Sequence, residues 1–356
     1  MAIKVLIVDD SALMRALLTE IINGAPDLEV VGSAPDPIAA REMIKTLNPD
    51  VLTLDVEMPR MDGLDFLDRL MRLRPMPVIM ISSFTAAGSE VTLKALELGA
   101  VDYLAKPRAE NISMLQGYAE DIRDKIRVAS SARLKSTART VVPSAPTLAQ
   151  PKGSFSPRLL SEKVIAIGAS TGGTEAIKEV LCSLPEEMPP IVMVQHMPET
   201  FTPSFAQRLN NLSKLTVIEA QGGERLQAGM AYLAPGHSHM RVRKSGAGFV
   251  LDLSKEEPVN RHRPAADVLF WSVAEHVRQN GLGMILTGMG KDGAQGLLAM
   301  RQAGAWNIGQ DQATCVVYGM PREAAEIGAL DEVASLGDIS GILLAKLRAL
   351  DKRAGG

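Results

Sequence analysis

The sequence predicts an α/β protein built as two doubly wound, mainly parallel sheets joined by a tether, and three observations predict it. Its 356 residues exceed what one hydrophobic core ordinarily organises. Short apolar runs alternate with segments whose apolar residues recur at three-and-four spacing, before residue 128 and again after residue 157. Between them, VASSARLKSTARTVVPSAPTLAQPKGSFSP (128–157) is rich in Ser, Thr, Ala and Pro and contains no acid. Such a segment buries too little apolar surface to offset its ordering entropy. The expected organisation is one domain over 1–127, a flexible linker over 128–157 and a second domain over 158–350.

In the first unit the expected strands are IKVLIV (3–8), LEVVGS (28–33), DVLTLD (50–55), PVIMIS (77–82) and DYLA (102–105). LMRALLTEII (13–22) and FLDRLMRL (66–73) carry helical spacing between them. Strands alternating with helices imply right-handed crossovers and a parallel sheet covered on both faces. The second unit resumes the alternation with KVIAIG (163–168), PIVMVQ (190–195), LTVIEA (215–220) and GLGMILTG (281–288). Helices are expected over 269–280 and 293–303, and the region 230–253 reads as antiparallel strands inserted in the sheet.

Bulk composition excludes several function classes. A formal net charge of −3 provides no basic field for nucleic acid or an anionic membrane. Cys182 and Cys315 stand far apart, without the spacing of a disulfide framework or a zinc site. No run of about eighteen apolar residues is available to span a bilayer. The opening MAIKVLIVDDS lacks the charged start and cleavage site of a secretory signal, so a cytoplasmic location is expected without direct membrane insertion.

Marking the strand ends of the first unit shows where its polar residues fall. Asp9 and Asp10 close the first strand, Asp55 the third and Ser82 the fourth, while Lys106 follows the fifth. Carboxyl ends of parallel strands converge on one crevice. Single strand-end Asp residues often cap helices, but matched positions on several strands favour a site. Carboxylates gathered there repel one another unless a cation joins them, and oxygen ligands suit Mg²⁺. Lys106 and Ser82 can hold phosphoryl oxygens, and one carboxylate can accept the phosphoryl group as an acyl phosphate. Asp55-Val56-Glu57-Met58-Pro59 followed by Met61-Asp62-Gly63 resembles the receiver domain of two-component response regulators. The resemblance implies a flavodoxin-like (βα)5 fold and phosphorylation at Asp55 by a chemotaxis histidine kinase. It also implies Mg²⁺ held by Asp10, Asp55 and the Glu57 carbonyl with Asp9 assisting, and a switch through Ser82 and Tyr103.

The second unit opens on VIAIGASTGGTEAI (164–177), where one hydroxyl, Ser170, sits between glycines at a sharp turn. Gly168-Ala169-Ser170-Thr171-Gly172 fits G-x-S-x-G, the strand-turn-helix elbow of serine nucleophiles. The dinucleotide fingerprint needs a different glycine spacing and a later acid, and the P-loop needs a Gly-Lys-Ser/Thr ending. A serine hydroxyl needs a base, usually a histidine oriented by a carboxylate. His196 ends the strand IVMVQ at the position matching Ser170, and Asp292 lies in the glycine-rich turn after GLGMILTG. His276 falls in a helical pattern, His237 and His239 have no acid cluster beside them, and His262 can border a cleft. Ser170, His196 and Asp292 are therefore expected at one edge of one sheet, with glycines 288 and 290 letting amides approach an oxyanion.

GASTGG, QHM, LTGMGKDG and QATCVVYGMPREA (312–324) resemble the catalytic domain of chemotaxis protein-glutamate methylesterases. The resemblance implies Ser170 as nucleophile, His196 as base and acid, Asp292 as the orienting acid, and the amides of Met289 and Thr171 as oxyanion donors. It implies hydrolysis of glutamate methyl esters, and in many members glutamine deamidation, on the cytoplasmic helices of methyl-accepting chemoreceptors, with no cofactor for the hydrolysis. Two rival readings are a non-catalytic regulator that binds DNA or a partner, and a hydrolase of small-molecule esters. No helix-turn-helix pattern or basic face after residue 158 supports the first. Turnover of a generic ester against methanol release from methylated receptors separates the second.

The resemblance also implies that the unphosphorylated receiver hinders access to the catalytic face. A tenfold activation needs only about 1.4 kcal/mol of differential stability between closed and open states. The fragment beginning near Arg158 is then expected to release methanol faster than the unphosphorylated full chain. An equal or lower rate from a folded fragment would show that the receiver acts by positive contacts instead.

Overall fold

Two compact units divide the computed structural model, Met1–Arg139 and Thr140–Gly356, which describes residues 2–58, 63–82, 86–106, 112–133 and 155–354. Pro59, Met61 and Asp62 of the receiver motif, and residues 134–154 of the expected linker, lie outside the described residues.

The first unit alternates β1 (Ile3–Val8), α1 (Ala12–Asn23), β2 (Leu28–Ala34), α2 (Pro37–Leu47) and β3 (Val51–Asp55). It continues with α3 (Gly63–Leu73), β4 (Val78–Ser82), α4 (Ala86–Glu97), β5 (Asp102–Ala105) and α5 (Ile112–Ser131). The strands pair in parallel in the order β2-β1-β3-β4-β5. β3 and β4 are buried along their whole length, which is why they read as mainly apolar runs rather than alternating ones, with Thr53 the polar residue inside β3. Ser11 caps α1 by accepting from the Met14 amide, and Asp36 caps α2 ahead of Pro37.

Helix α5 runs four residues past the boundary expected at 127. Ile122, Ile126 and Ala129 are fully buried at helical spacing, and Arg127 grips Asp27 through two nitrogens. Packing of these residues outweighs the loop-like composition of 128–131. At the other end of the segment Phe155 is buried, and Ser156 caps the helix that follows.

The second unit begins α6 (Pro157–Glu162), β6 (Val164–Ala169), α7 (Gly173–Cys182), β7 (Ile191–Gln195), α8 (Thr202–Leu212) and β8 (Thr216–Glu219). Then come β9 (Met230–Leu233), β10 (His239–Ser245), β11 (Gly248–Ser254), α9 (Ala266–His276) and β12 (Gly281–Ile285). It closes with α10 (Ala294–Gln302), β13 (Trp306–Gln310), α11 (Met320–Glu326), β14 (Glu332–Ala334) and α12 (Leu336–Ala354). The 7-stranded sheet has the order β14-β13-β12-β6-β7-β9-β8, with every neighbouring pair parallel. The chain therefore reverses direction across the sheet at β6, and its neighbours β7 and β12 flank the crevice at that switch point.

The expectation of antiparallel strands inserted in this sheet over 230–253 is corrected. β9 lies in the sheet but parallel, between β7 and β8, while β10 and β11 form a separate antiparallel ribbon. The ribbon's inward side chains Met240, Val242 and Leu251 pack into one core with Leu269, Phe270 and Val273 of α9. Alternation along a hairpin records one buried face, and here the face is covered by a helix rather than by the sheet edge.

His239 stands at the start of β10, fully buried. Its Nε2 donates to the Glu257 carbonyl at 3.0 Å and its Nδ1 accepts from the Ala265 amide at 3.2 Å. That pattern requires the neutral ring and leaves neither nitrogen for a metal. Burial pushes its pKa below the usual histidine value. The unfolded chain then binds a proton more readily than the folded one, so stability is full above the unfolded pKa and declines as pH falls below it. Denaturant unfolding at pH 7.5 and 5.5 should show a larger loss at the lower pH for the wild type than for His239→Gln. Equal losses would mean that His239 is not held neutral.

Candidate active site

In the second unit, Ala169 of β6 is paired with Gln195 of β7, so the next residues of both strands emerge side by side. Those residues are Ser170 and His196. The His196 amide donates to the Ala169 carbonyl at 3.1 Å, and the Ser170 amide to the Thr287 carbonyl beyond β12 at 3.0 Å. The chain then turns sharply into α7, with the Gly173 amide on the Ser170 carbonyl at 2.7 Å and Gly172 at φ 78°. Gln195, buried and given no role by the sequence, donates from Nε2 to the carbonyls of Ser170 (2.9 Å) and His196 (3.1 Å). It thereby fixes the two strand ends relative to each other.

Asp292 meets His196 directly, Oδ2 to Nε2 at 2.8 Å, with both side chains buried. The carboxylate is built into the folding of its own unit. Helix α9 begins at Ala265, which has no capping side chain. Its first amides are taken by Asp292 instead, Ala266 to Oδ2 at 2.6 Å and Asp267 to Oδ1 at 3.2 Å. Asp267 of α9 in turn accepts from the Gly296 amide of α10 at 2.6 Å. Each helix is thus capped by the acid that precedes or opens the other, and both carboxylates gain the positive ends of helix dipoles. The two helices meet closely at Gly296, where a Cβ would come within 2.6 Å of the Phe270 Cβ. Burial acts to raise the Asp292 pKa, but the His196 bond and charge and the Asn260 and Ala266 donors outweigh it and hold the carboxyl below its usual range.

With Nε2 committed to Asp292, the other nitrogen of the His196 ring is Nδ1, which is buried and makes no hydrogen bond among the described residues. The Ser170 hydroxyl is not bonded to it in this structure, so the two come together as expected at the strand ends but without a direct bond. His262 stacks on the opposite ring, centroids 3.7 Å apart and planes 15° from parallel.

The turn expected to face an oxyanion lies against Ser170. A Cβ on Gly288 would stand 2.8 Å from the Ser170 Cβ and 3.0 Å from its nitrogen. The Gly288 amide is committed to the Val317 carbonyl at 3.1 Å, and the Gly288 carbonyl receives the amides of Gly319 and Met320. The Tyr318-Gly319-Met320 stretch therefore straps this turn in place. The Met289 amide, between the strapped Gly288 and Gly290 at φ 82°, makes no hydrogen bond among the described residues. Thr171 is buried beside the serine, its carbonyl accepting from the Thr287 hydroxyl at 3.0 Å.

In the first unit, Asp9, Asp10 and Asp55 offer oxygen atoms all within 4.8 Å of one another at the ends of β1 and β3. Lys106 Nζ lies 2.7 Å from Asp55 Oδ2 and 3.7 Å from Asp9 Oδ2. The amides of Glu57 and Ser11 donate to Asp55 and Asp9. Burial, with the Asp9 charge added, raises the Asp55 pKa to about 6 against the pull of Lys106, and burial likewise raises Asp9. Among the described residues three carboxylates therefore face one ammonium, and Asp9 Oδ2 is buried without a hydrogen bond. A hard divalent cation fits that donor set. Ser82 is buried at the end of β4, where its carbonyl accepts from the Lys106 amide at 2.7 Å, and Tyr103 is buried in β5. Both residues of the expected switch, Ser82 and Tyr103, are therefore buried.

No helix among the described residues is long and apolar enough to cross a membrane. The family model described as CheB methylesterase matches residues 165–343, and that described as response regulator receiver domain matches residues 5–115. A protein-glutamate methylesterase/protein-glutamine glutaminase of Nitrosomonas europaea is 58% identical, covering 99% of this chain and 98% of that protein. A protein of the same name from Dechloromonas aromatica is 59% identical over 97% of this chain and 99% of its own length. The crystal structure of the Thermotoga maritima CheB methylesterase catalytic domain is 40% identical and covers 53% of this chain and 99% of that one, with a TM-score of 0.51. A receiver joined to such a domain over nearly the whole chain, with a serine, histidine and aspartate at its switch point, makes this protein a member of the CheB protein-glutamate methylesterase/protein-glutamine glutaminase family.

Proposed function

We propose that the chain hydrolyses glutamate methyl esters on the cytoplasmic helices of chemoreceptors, and deamidates selected glutamines there, under control of phosphorylation at Asp55. The observation that carries the chemistry is the His196–Asp292 pair beside Ser170, with Nδ1 of His196 left open on the ring. In this reading Ser170 Oγ attacks the ester carbonyl as Nδ1 takes its proton. The carbonyl oxygen becomes an oxyanion and is met by the amides of Met289 and Thr171, each such donor being worth about 10²–10³ in rate. His196 then protonates the departing methanol. Water hydrolyses the glutamyl-enzyme by the reverse proton path and restores Ser170. A glutamine carboxamide follows the same course, with ammonia as the leaving group. Asp292 keeps the Nε2 proton in place and stabilises the imidazolium, which its two helix amides and low pKa equip it to do.

In the first unit Asp9, Asp10, Asp55 and the Glu57 carbonyl would hold Mg²⁺, which neutralises phosphoryl charge. Asp55 offers the accepting carboxylate, and Lys106, already 2.7 Å away, holds a phosphoryl oxygen. A chemotaxis histidine kinase is the donor, and the site of action is the cytoplasm. The domain limits that suit this reading are 1–127, 128–157 and 158–350, with α5 carrying the first boundary to Ser131.

Ser170→Ala is expected to retain the fold, judged by circular dichroism and melting, and to lose methanol release from methylated receptors by roughly 10³-fold or more, because triad members act as a unit. Near-normal release would remove Ser170 from the chemistry. Small-molecule phosphodonors are expected to label Asp55 only with Mg²⁺ present, and Asp55→Asn to abolish labelling. Phosphorylation that survives excess chelator, or that persists in Asp55→Asn, would contradict the acidic pocket's assigned role.

A further inference from the structure

The segment between β11 and α9 contains a tight turn that touches both members of the acid–base pair. Val259 and His262 exchange two backbone bonds, at 3.0 and 2.9 Å. The residues between them, Asn260 and Arg261, have φ of 52° and 68°. Asparagine visits that left-handed region more readily than other non-glycine residues, but arginine does so rarely, and at Arg261 it persists only where the surroundings over-determine it. From this turn the Asn260 amide donates to two buried carboxylates, Asp267 Oδ2 at 2.8 Å and Asp292 Oδ1 at 2.9 Å. From the same turn the His262 ring lies flat on His196.

We infer that the Val259–His262 turn is a positioning clamp for the catalytic pair, in which Asn260 holds the Asp292 carboxylate and His262 holds the plane of the His196 ring. The inference rests on the function proposed above. Its physical basis is the number of constraints a proton-transferring ring requires. The Asp292–Nε2 bond fixes one edge of the imidazole but leaves the ring free to swing about that contact. A flat neighbour on one face removes that freedom and holds the Nδ1 edge in one orientation. Asn260 supplies what no acid could, since its NH₂ group has one hydrogen for each carboxylate and adds no charge between them. An Asp at this position would place a third anion beside two. A glycine would keep the left-handed backbone and withdraw the donor. Neither Asn260 nor His262 transfers a proton in this assignment, so both act through geometry, where an error of about 1 Å can cost 10²-fold in rate.

The test uses the full-length protein and two readouts, methanol release from a methylated chemoreceptor fragment and the rate of Ser170 labelling by a fluorophosphonate. Asn260→Gly is expected to lower kcat by about 10–100-fold with KM within about 3-fold of wild type. His262→Phe keeps a flat ring without ionisable nitrogens and is expected to stay within about 3-fold of wild type, while His262→Ala falls by about 10-fold or more. Wild-type kcat in Asn260→Gly would overturn the clamp. So would His262→Phe as impaired as His262→Ala, because the nitrogen and not the plane would then matter. Melting curves accompany each variant. Should Asn260→Gly fail to fold, the two His262 variants decide between the outcomes alone. Labelling of the wild type without methanol release would instead remove the proposed substrate, leaving the clamp to be judged from the labelling rates.

Discussion

The catalytic unit depends on one buried carboxylate with two duties. Asp292 satisfies the first amides of α9 and also holds Nε2 of His196. Its position is therefore fixed by helix capping before any chemistry is considered. A charge placed in a dry interior is costly unless donors surround it, and Asp292 receives four, from two backbone amides, Asn260 and His196. Losing one donor leaves the rest to hold a charge that solvent does not reach. Packing of α9 against α10, closed at Gly296 and by the Asp267 bond to its amide, ties the two helices that flank the Asp292 carboxylate to each other.

Both units place their chemistry where a parallel sheet reverses its winding order. In the first, Asp9 and Asp55 end the adjacent strands β1 and β3. In the second, Ser170 and His196 follow the adjacent strands β6 and β7, and the Asp292 loop follows β12 on the other side. Strand ends at such a point diverge from the helices that cover the sheet, so side chains there meet without filling the core. The shared architecture carries opposite electrostatics. The receiver pocket gathers carboxylates against a single lysine, so burial raises their proton affinity and a divalent cation suits them. The catalytic crevice surrounds its one paired acid with donors, which keeps that acid ionised beside a histidine.

Much of the site was legible because strands buried on both faces announce themselves as apolar runs and end where a polar residue appears. Asp9, Asp55, Ser82, Ser170 and His196 were all found that way, each within a residue of a strand end. Gln195, Asn260 and His262 were less accessible. Gln195 continues an apolar strand and differs from a solvent-facing residue only in what lies beside it. His262 could be placed near a cleft, but its stacking on His196 arises from a turn whose partners are far away in sequence. The strap at Tyr318-Gly319-Met320 belonged to a recognised motif whose contact with Gly288 nothing local could reveal.

By itself the sequence determined the two α/β units, and it placed the candidate site residues at strand ends with their chemical types, because hydrophobic periodicity and glycine-rich turns are local properties. It did not determine where the long first-unit helix ends, since burial of Ala129 overrode a loop-like composition. Nor did it determine that β9 joins the sheet in parallel while β10 and β11 leave it as a ribbon, which depends on the surface α9 offers to Met240 and Leu251. Only the tertiary structure decided which histidine nitrogen faces the acid, that the Met289 amide makes no hydrogen bond among the described residues, and that Asp292 caps α9. Each of these is a pairing between residues distant along the chain, and such pairings are selected by the satisfaction of buried polar groups once the whole unit has folded.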